Sequence, residues 1–130
     1  MYERKIPVGL TCGLDLLREV TAGKWKISLL YFIGQGLHRP SQLHQRLPGA
    51  TPRVLNAQLK QLLAHELLRK QHFPARQLKV EYHLTALGES LLPLLTALGH
   101  WGDEHQTHLR RVVENSLAID SASLSSSSEP

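Results

Sequence analysis

The sequence predicts a mainly α-helical domain broken once by a small β-hairpin, on three observations. Apolar residues recur at helical spacing over most of the chain; the period changes to two near residues 68–84; and a Pro-Gly turn followed by Thr-Pro divides two short helices in the middle. At 130 residues, 42% hydrophobic and 20% charged, the chain is one domain's worth, long enough to bury a core. No apolar run approaches the roughly 20 residues of a membrane span. The start, MYERKIPVGLTC, lacks the apolar core of a signal peptide, so a cytoplasmic protein with no membrane partner is expected. A single cysteine, Cys12, excludes an intramolecular disulfide and a cysteine-built zinc site.

Taken in order, Leu14, Leu17 and Val20 make a stripe on a short helix over residues 12–20, with Thr11 placed to cap it and Gly23 to end it. Residues 24–32 leave little polar face, as a central helix covered on several sides does, and Gly34 and Gly36 close it. Pro40 to Leu47 form two turns carrying Leu43 and Leu47, stopped by Pro48-Gly49. Thr51-Pro52 then encodes an N-cap with proline at the first helical position, and Leu55, Leu59 and Leu62 continue that helix to about His65. Leu68 to Phe73 and Lys79 to Leu84 read as two strands with a basic tip between them. From Thr85, Leu87, Leu91, Leu94, Leu98 and Trp101 follow a 4-3-4-3 seam that can run on past His105 to Val112, kinked at Pro93. The expected organisation is a folded domain over residues 1–115 and a disordered tail over 116–130, whose serine-rich composition offers little to bury.

The whole-chain charge of +4 hides an asymmetry. Residues 24–79 hold ten basic residues against one acid, Glu66, whereas the remainder carries a net −5. A segment at +9 is the footprint expected where a polyanion binds, although a locally biased, solvated surface gives the same count. Two helices joined by a short glycine-containing turn, followed by a basic hairpin, make a winged helix-turn-helix, with N- and C-terminal helices left to dimerise.

Over Cys12 to Trp101 the chain resembles the HxlR-type bacterial transcriptional regulators, relatives of the MarR group. The resemblance rests on Cys12, Gly23-Lys24-Trp25-Lys26, Arg39, Ser41, Leu43, Arg46-Leu47-Pro48-Gly49, Leu55, Leu59, Leu62, Val80-Glu81-Tyr82-His83-Leu84-Thr85 and Leu87-Gly88. The chain departs from the family pattern at Pro40, usually aromatic, at Gln42, usually acidic, and at His65-Glu66, usually an acidic residue and glycine. The resemblance implies a homodimer that binds operator DNA and regulates transcription, often in response to electrophiles or oxidants.

On a helical wheel Arg53, Asn56, Ala57 and Lys60 lie opposite the leucines and are the groove-facing candidates. Arg53 can take a guanine O6/N7 edge and Asn56 an adenine N6/N7 edge, while Ala57 permits close approach. Ser41 and Thr51 suit phosphates, or serve only as caps; Arg76 and Lys79 suit the minor groove or backbone, or serve only as solubilising charges. Lys24 and Lys26, flanking Trp25, fit packing and a backbone contact better than base readout. Cys12 is either a small hydrophobe or, at the first turn of a helix, a thiol whose thiolate the dipole favours and which a redox or electrophilic effector modifies.

His105 and His108, with His100 nearby, invite a metal, but their leucine and aromatic neighbours suggest a helix seam instead, and no cofactor is expected. With no glycine-rich phosphate loop and no G-x-S-x-G, an enzyme is not expected. The sequence therefore predicts a homodimeric, sequence-specific regulator on double-stranded DNA at a pseudo-palindromic operator, its effector unidentified. The competing reading is a winged-helix module whose basic face meets an acidic protein.

Overall fold

The computed structural model describes residues 12–74 and 79–127, with side chains to residue 122. The elements are α1 (Gly13–Thr21), α2 (Lys26–Gly34), α3 (Pro40–Arg46), α4 (Pro52–Ala64), β1 (Leu68–His72), β2 (Val80–Leu84), α5 (Ala86–Glu104) and α6 (Gln106–Ser127). The chain divides into two units, residues 1–95 and 96–130. The first contains the helix-turn-helix, α3 and α4, and the wing, β1 and β2. Mainly helical with one antiparallel hairpin is thus the fold, as the periodicity predicts.

The core of the first unit is built on α2. Its run of apolar residues needs cover on several sides, and Leu29, Leu30 and Ile33 are all at most 1% exposed. The cover comes from Leu43 of α3, the Leu55-Leu59-Leu62 seam of α4, Leu68 and Tyr82 of the hairpin, and Leu95. The hairpin register pairs Leu68 with Leu84, Lys70 with Tyr82 and His72 with Val80. Side chains alternate across the strands, so Lys70, His72, Val80 and Tyr82 share one face, and Arg69, Gln71, Glu81 and His83 the other.

The exit from α4 explains a departure noted in the sequence. Leu67 N–H donates to Leu62 O at 3.1 Å and Glu66 N–H to Leu63 O at 3.0 Å, with Glu66 at φ 61°. This is a Schellman turn, and its left-handed position, normally glycine, holds a glutamate. The turn is bonded to the start of α5. Thr85 N–H donates to Leu67 O at 3.1 Å, its hydroxyl donates to Glu66 O at 2.6 Å, and that hydroxyl accepts from Gly88 N–H at 3.1 Å. Gly88 lies so close that a Cβ built on it would stand 2.3 Å from Leu67 O. Only glycine permits that approach.

Three expectations meet a different arrangement. Thr11 lies outside the described residues, and Cys12 is the N-cap of α1. The seam expected to run on past His105 to Val112 is instead interrupted at His105, and α5 runs through Pro93. The carbonyl that proline deprives of a partner belongs to the exposed Glu89, while Gly99 and Gly102 weaken the helix just before His105. Where composition predicts a tail from residue 116, helix continues to Ser127, with every described side chain from Arg110 to Ala122 exposed. Ala118 and Ala122 favour helix, though none of the described side chains of that segment is buried.

Candidate nucleic-acid interface

The second helix of the helix-turn-helix is fixed from both ends and from behind. Thr51 caps α4 by accepting a hydrogen bond from Val54 N–H at 3.2 Å, and Pro52 follows at the first helical position. Leu55, Leu59 and Leu62 are fully buried, which turns the opposite side outward. Arg53, Asn56, Ala57 and Lys60 are all exposed and fall within an arc of about 100° on that side. The structure therefore gathers these four candidates on one open helical face.

Gln58, which the sequence reading passed over, sets where that face stands. Its Oε1 accepts from Trp25 N–H at 2.9 Å, tying the middle of α4 to the start of α2. A Cβ built on Gly23, at φ 149°, would stand 3.2 Å from the Gln58 side chain, and one built on Gly49 would stand 3.3 Å from the Trp25 ring, so both glycines make room for this clamp. Its signal in the sequence was positional: Gln58 lies beside Leu62 on the wheel, at the edge of the buried stripe. Lys24 Nζ stands 5.1 Å from the Trp25 ring centre and Lys26 is 2% exposed, so both serve the packing of this corner.

Ser41 and Thr51 part company. Arg39 is the N-cap of α3 and Pro40 its first residue, so Ser41 is an exposed second helical residue rather than a cap. Gln42 Oε1 accepts from Arg39 N–H at 3.2 Å, the role an acid there would also fill. The Thr51 hydroxyl is already engaged as a cap. Lys79 is exposed at the start of β2, and Arg76 lies outside the described residues.

A polar clasp holds the hairpin against the segment before α3. Tyr82 N–H donates to His38 O at 2.7 Å, and His38 Nδ1 lies 3.0 Å from Tyr82 O, where a carbonyl can only accept and the ring nitrogen must carry the proton. The His38 ring stacks on His83 at 4.0 Å, His83 Nε2 meets Glu81 Oε1 at 3.0 Å, and Glu81 Oε2 meets Arg39 Nε at 3.6 Å. The His83 hydrogen bond holds the Glu81 carboxyl below its ordinary range; burial opposes this, and the charges of His83 and Arg39 and the Arg39 hydrogen bond reinforce it.

Cys12 is exposed, and its side chain makes no capping hydrogen bond. On the last helices, His105 stacks on Trp101 at 4.8 Å and His108 contacts Arg111 at 3.1 Å. Among the described residues no three His, Cys, Asp or Glu side chains converge to hold a metal, and no helix is long and apolar enough to cross a membrane.

Known proteins share this arrangement. The profile of the HxlR-like helix-turn-helix family matches residues 20–110. The HTH-type transcriptional regulator YkvN of Bacillus subtilis strain 168 is 40% identical over 92 residues, which cover 71% of this chain and 78% of that protein. Among solved structures, the redox regulator HypR in its reduced form superposes with a TM-score of 0.71 at 29% identity, over 77% of this chain and 99% of HypR. HypR in its oxidised form gives 0.68 at 31% identity, over 72% and 96% of the respective chains.

Proposed function

The chain belongs to the HxlR-like helix-turn-helix family of DNA-binding transcriptional regulators, and from that premise we propose that it is a cytoplasmic homodimer reading a pseudo-palindromic operator, with Cys12 as its redox or electrophile sensor. The observation that carries the reading is the open face of α4. Arg53 and Asn56 are the base-reading residues, Ala57 allows close approach, and Lys60 meets a phosphate. Ser41, Thr51, Lys79 and Arg76 hold the backbone on either side.

Dimerisation is supported by apolar surface that this chain leaves uncovered. Leu14 on α1, Leu87, Leu94 and Leu98 on α5, and Leu117 and Ile119 on α6 are each more than half exposed. Exposed leucines at helical spacing, as on α5, normally meet a partner. A dimer would present two α4 helices to half-sites about one DNA turn, roughly 34 Å, apart.

Selection of bound duplexes from a random pool tests the reading and should enrich a two-fold-related sequence. If each protomer neutralises three or four phosphates, log Kobs should fall against log salt with a slope of about −5 to −7. A slope near zero, or no enriched sequence, refutes it and favours an acidic protein partner. The sensor proposal is supported by the exposure of Cys12 at a helix N-terminus, where the dipole favours thiolate, and by the likeness to HypR. Cys12→Ser should keep operator binding and lose the response to diamide; an identical response in both proteins refutes it.

A further inference from the structure

Between α3, α4 and the hairpin lies a cavity of 490 Å³, bordered by Lys70, Lys79 and Arg39 on its charged side. We propose that this cavity binds a small organic anion with an apolar body, and that the bound anion and DNA exclude one another. The second half rests on the reading of α4 as the DNA-facing helix. The first half does not.

The charge argument begins with the hairpin register. Lys70 pairs with Tyr82 and so shares its face, together with Val80, and all three border the cavity. The acid of this region, Glu81, points to the other face and is engaged by His83 and Arg39. No acidic side chain among the described residues borders the cavity. Arg39 shares its charge with Glu81, but Lys70 and Lys79 have no ion-pair partner among the described residues, so they are the anchors for an anionic group.

A phosphate of the DNA backbone would need those cations and little else. The cavity offers more. Its volume lies within the roughly 300–1,000 Å³ of small-molecule sites, which combine an apolar wall with a few convergent polar groups. Pro40, Val80 and Tyr82 supply that wall, and Ser41 and Asn56 add polar side chains. Exclusion follows from shared residues: Ser41, Asn56 and Lys79 border the cavity and also stand among the proposed DNA contacts, so a ligand held there takes space and charge that a duplex needs.

Phenyl phosphate joins the two required halves, and inorganic phosphate and phenol present each alone. In ¹⁵N–¹H spectra of the full chain, phenyl phosphate should shift the amides of Lys70, Val80 and Tyr82 and bind at least about tenfold more tightly than either half. Lys70→Gln and Lys79→Gln, both at exposed positions, should each weaken it, with melting temperature and helix content near those of the parent protein. At phenyl phosphate about 2.2 times its own Kd, and at matched ionic strength, the apparent duplex Kd should rise about tenfold, because both cavities of a dimer must be empty. Equal, weak binding of all three probes, shifts confined elsewhere, or affinity unchanged in both variants overturns the site. Unchanged duplex affinity at saturating phenyl phosphate overturns the exclusion. A protein that takes duplex DNA but not phenyl phosphate refutes only the cavity, whereas one that takes phenyl phosphate but no duplex supports the cavity and refutes the DNA reading.

Discussion

Glu66→Gly should stabilise the protein, because the left-handed position of the Schellman turn is occupied by a residue with a Cβ. Glu66 sits at φ 61°, where an L-residue other than glycine incurs about 1–2 kcal/mol of steric cost. Glycine relieves that cost but gives the unfolded chain more freedom, which takes back about 0.4–1 kcal/mol. The contacts of the turn do not depend on the side chain. Thr85 donates to the Glu66 backbone carbonyl, and the Leu67-to-Leu62 bond is also main chain to main chain, so glycine retains both. No ion pair involves the Glu66 carboxylate among the described residues. The net gain is about 0.5–1 kcal/mol, or about 2–5 °C in melting temperature for a chain of this size. Urea unfolding with parent and variant at the same protein concentration measures it, and Glu66→Ala, which keeps a Cβ, should show no such gain. An unchanged or lower midpoint for Glu66→Gly, with the same m-value, would show that the turn is not strained at this residue.

Gly88→Ala should act in the opposite direction, since its Cβ would stand 2.3 Å from the Leu67 carbonyl oxygen, a backbone atom that cannot swing aside; calorimetry should show a loss of about 1–3 kcal/mol. Arg53→Ala and Asn56→Ala should each cost about 1–3 kcal/mol at one base position of the selected operator, while Lys60→Ala should weaken specific and random duplexes alike. Equal losses for all three variants on both duplexes would move the base readout elsewhere. The Glu81 pair sets a pH dependence: a carboxyl held below its ordinary 4.5 contributes stability that is fully present above that value and lost as pH falls through the lower folded one. Glu81→Gln should therefore flatten the acid limb of the stability curve below about pH 4.5, and an unaltered limb would show that the clasp carries no linkage.

What could be read from the chain differs between its helices and its clasp for a physical reason. Local signals, such as Thr51-Pro52 and the Leu55-Leu59-Leu62 spacing, depend on residues within a few turns of each other and place α4 with its outward face. The bond from Trp25 to Gln58 joins residues 33 apart, and that between His38 and Tyr82 joins residues 44 apart, so no periodicity announces either. Glu66 is the instructive intermediate: the sequence marked it as a departure, but only the backbone dihedral shows that the turn kept its form without glycine. Pro93 is accommodated inside α5 because the Glu89 carbonyl that it leaves without a partner belongs to an exposed residue and can turn to water.

The placement of Gln58 and Thr85 suggests how the first unit keeps α4 in one position while remaining a small domain. The buried seam of α4 fixes its rotation, since Leu55, Leu59 and Leu62 have no accessible surface to exchange. It does not fix translation along the helix axis, because leucines four and three apart repeat along that axis and could slide by a turn. Directional bonds remove that freedom. Gln58 grips the middle of the helix at Trp25 N–H, and Thr85 grips its C-terminal turn through the carbonyls of Glu66 and Leu67. A slide of one turn, about 5.4 Å, would break both grips at once. The base readout proposed for Arg53 and Asn56 would need hydrogen-bond geometry held to fractions of an ångström, so the two grips would serve it even though neither touches the exposed face.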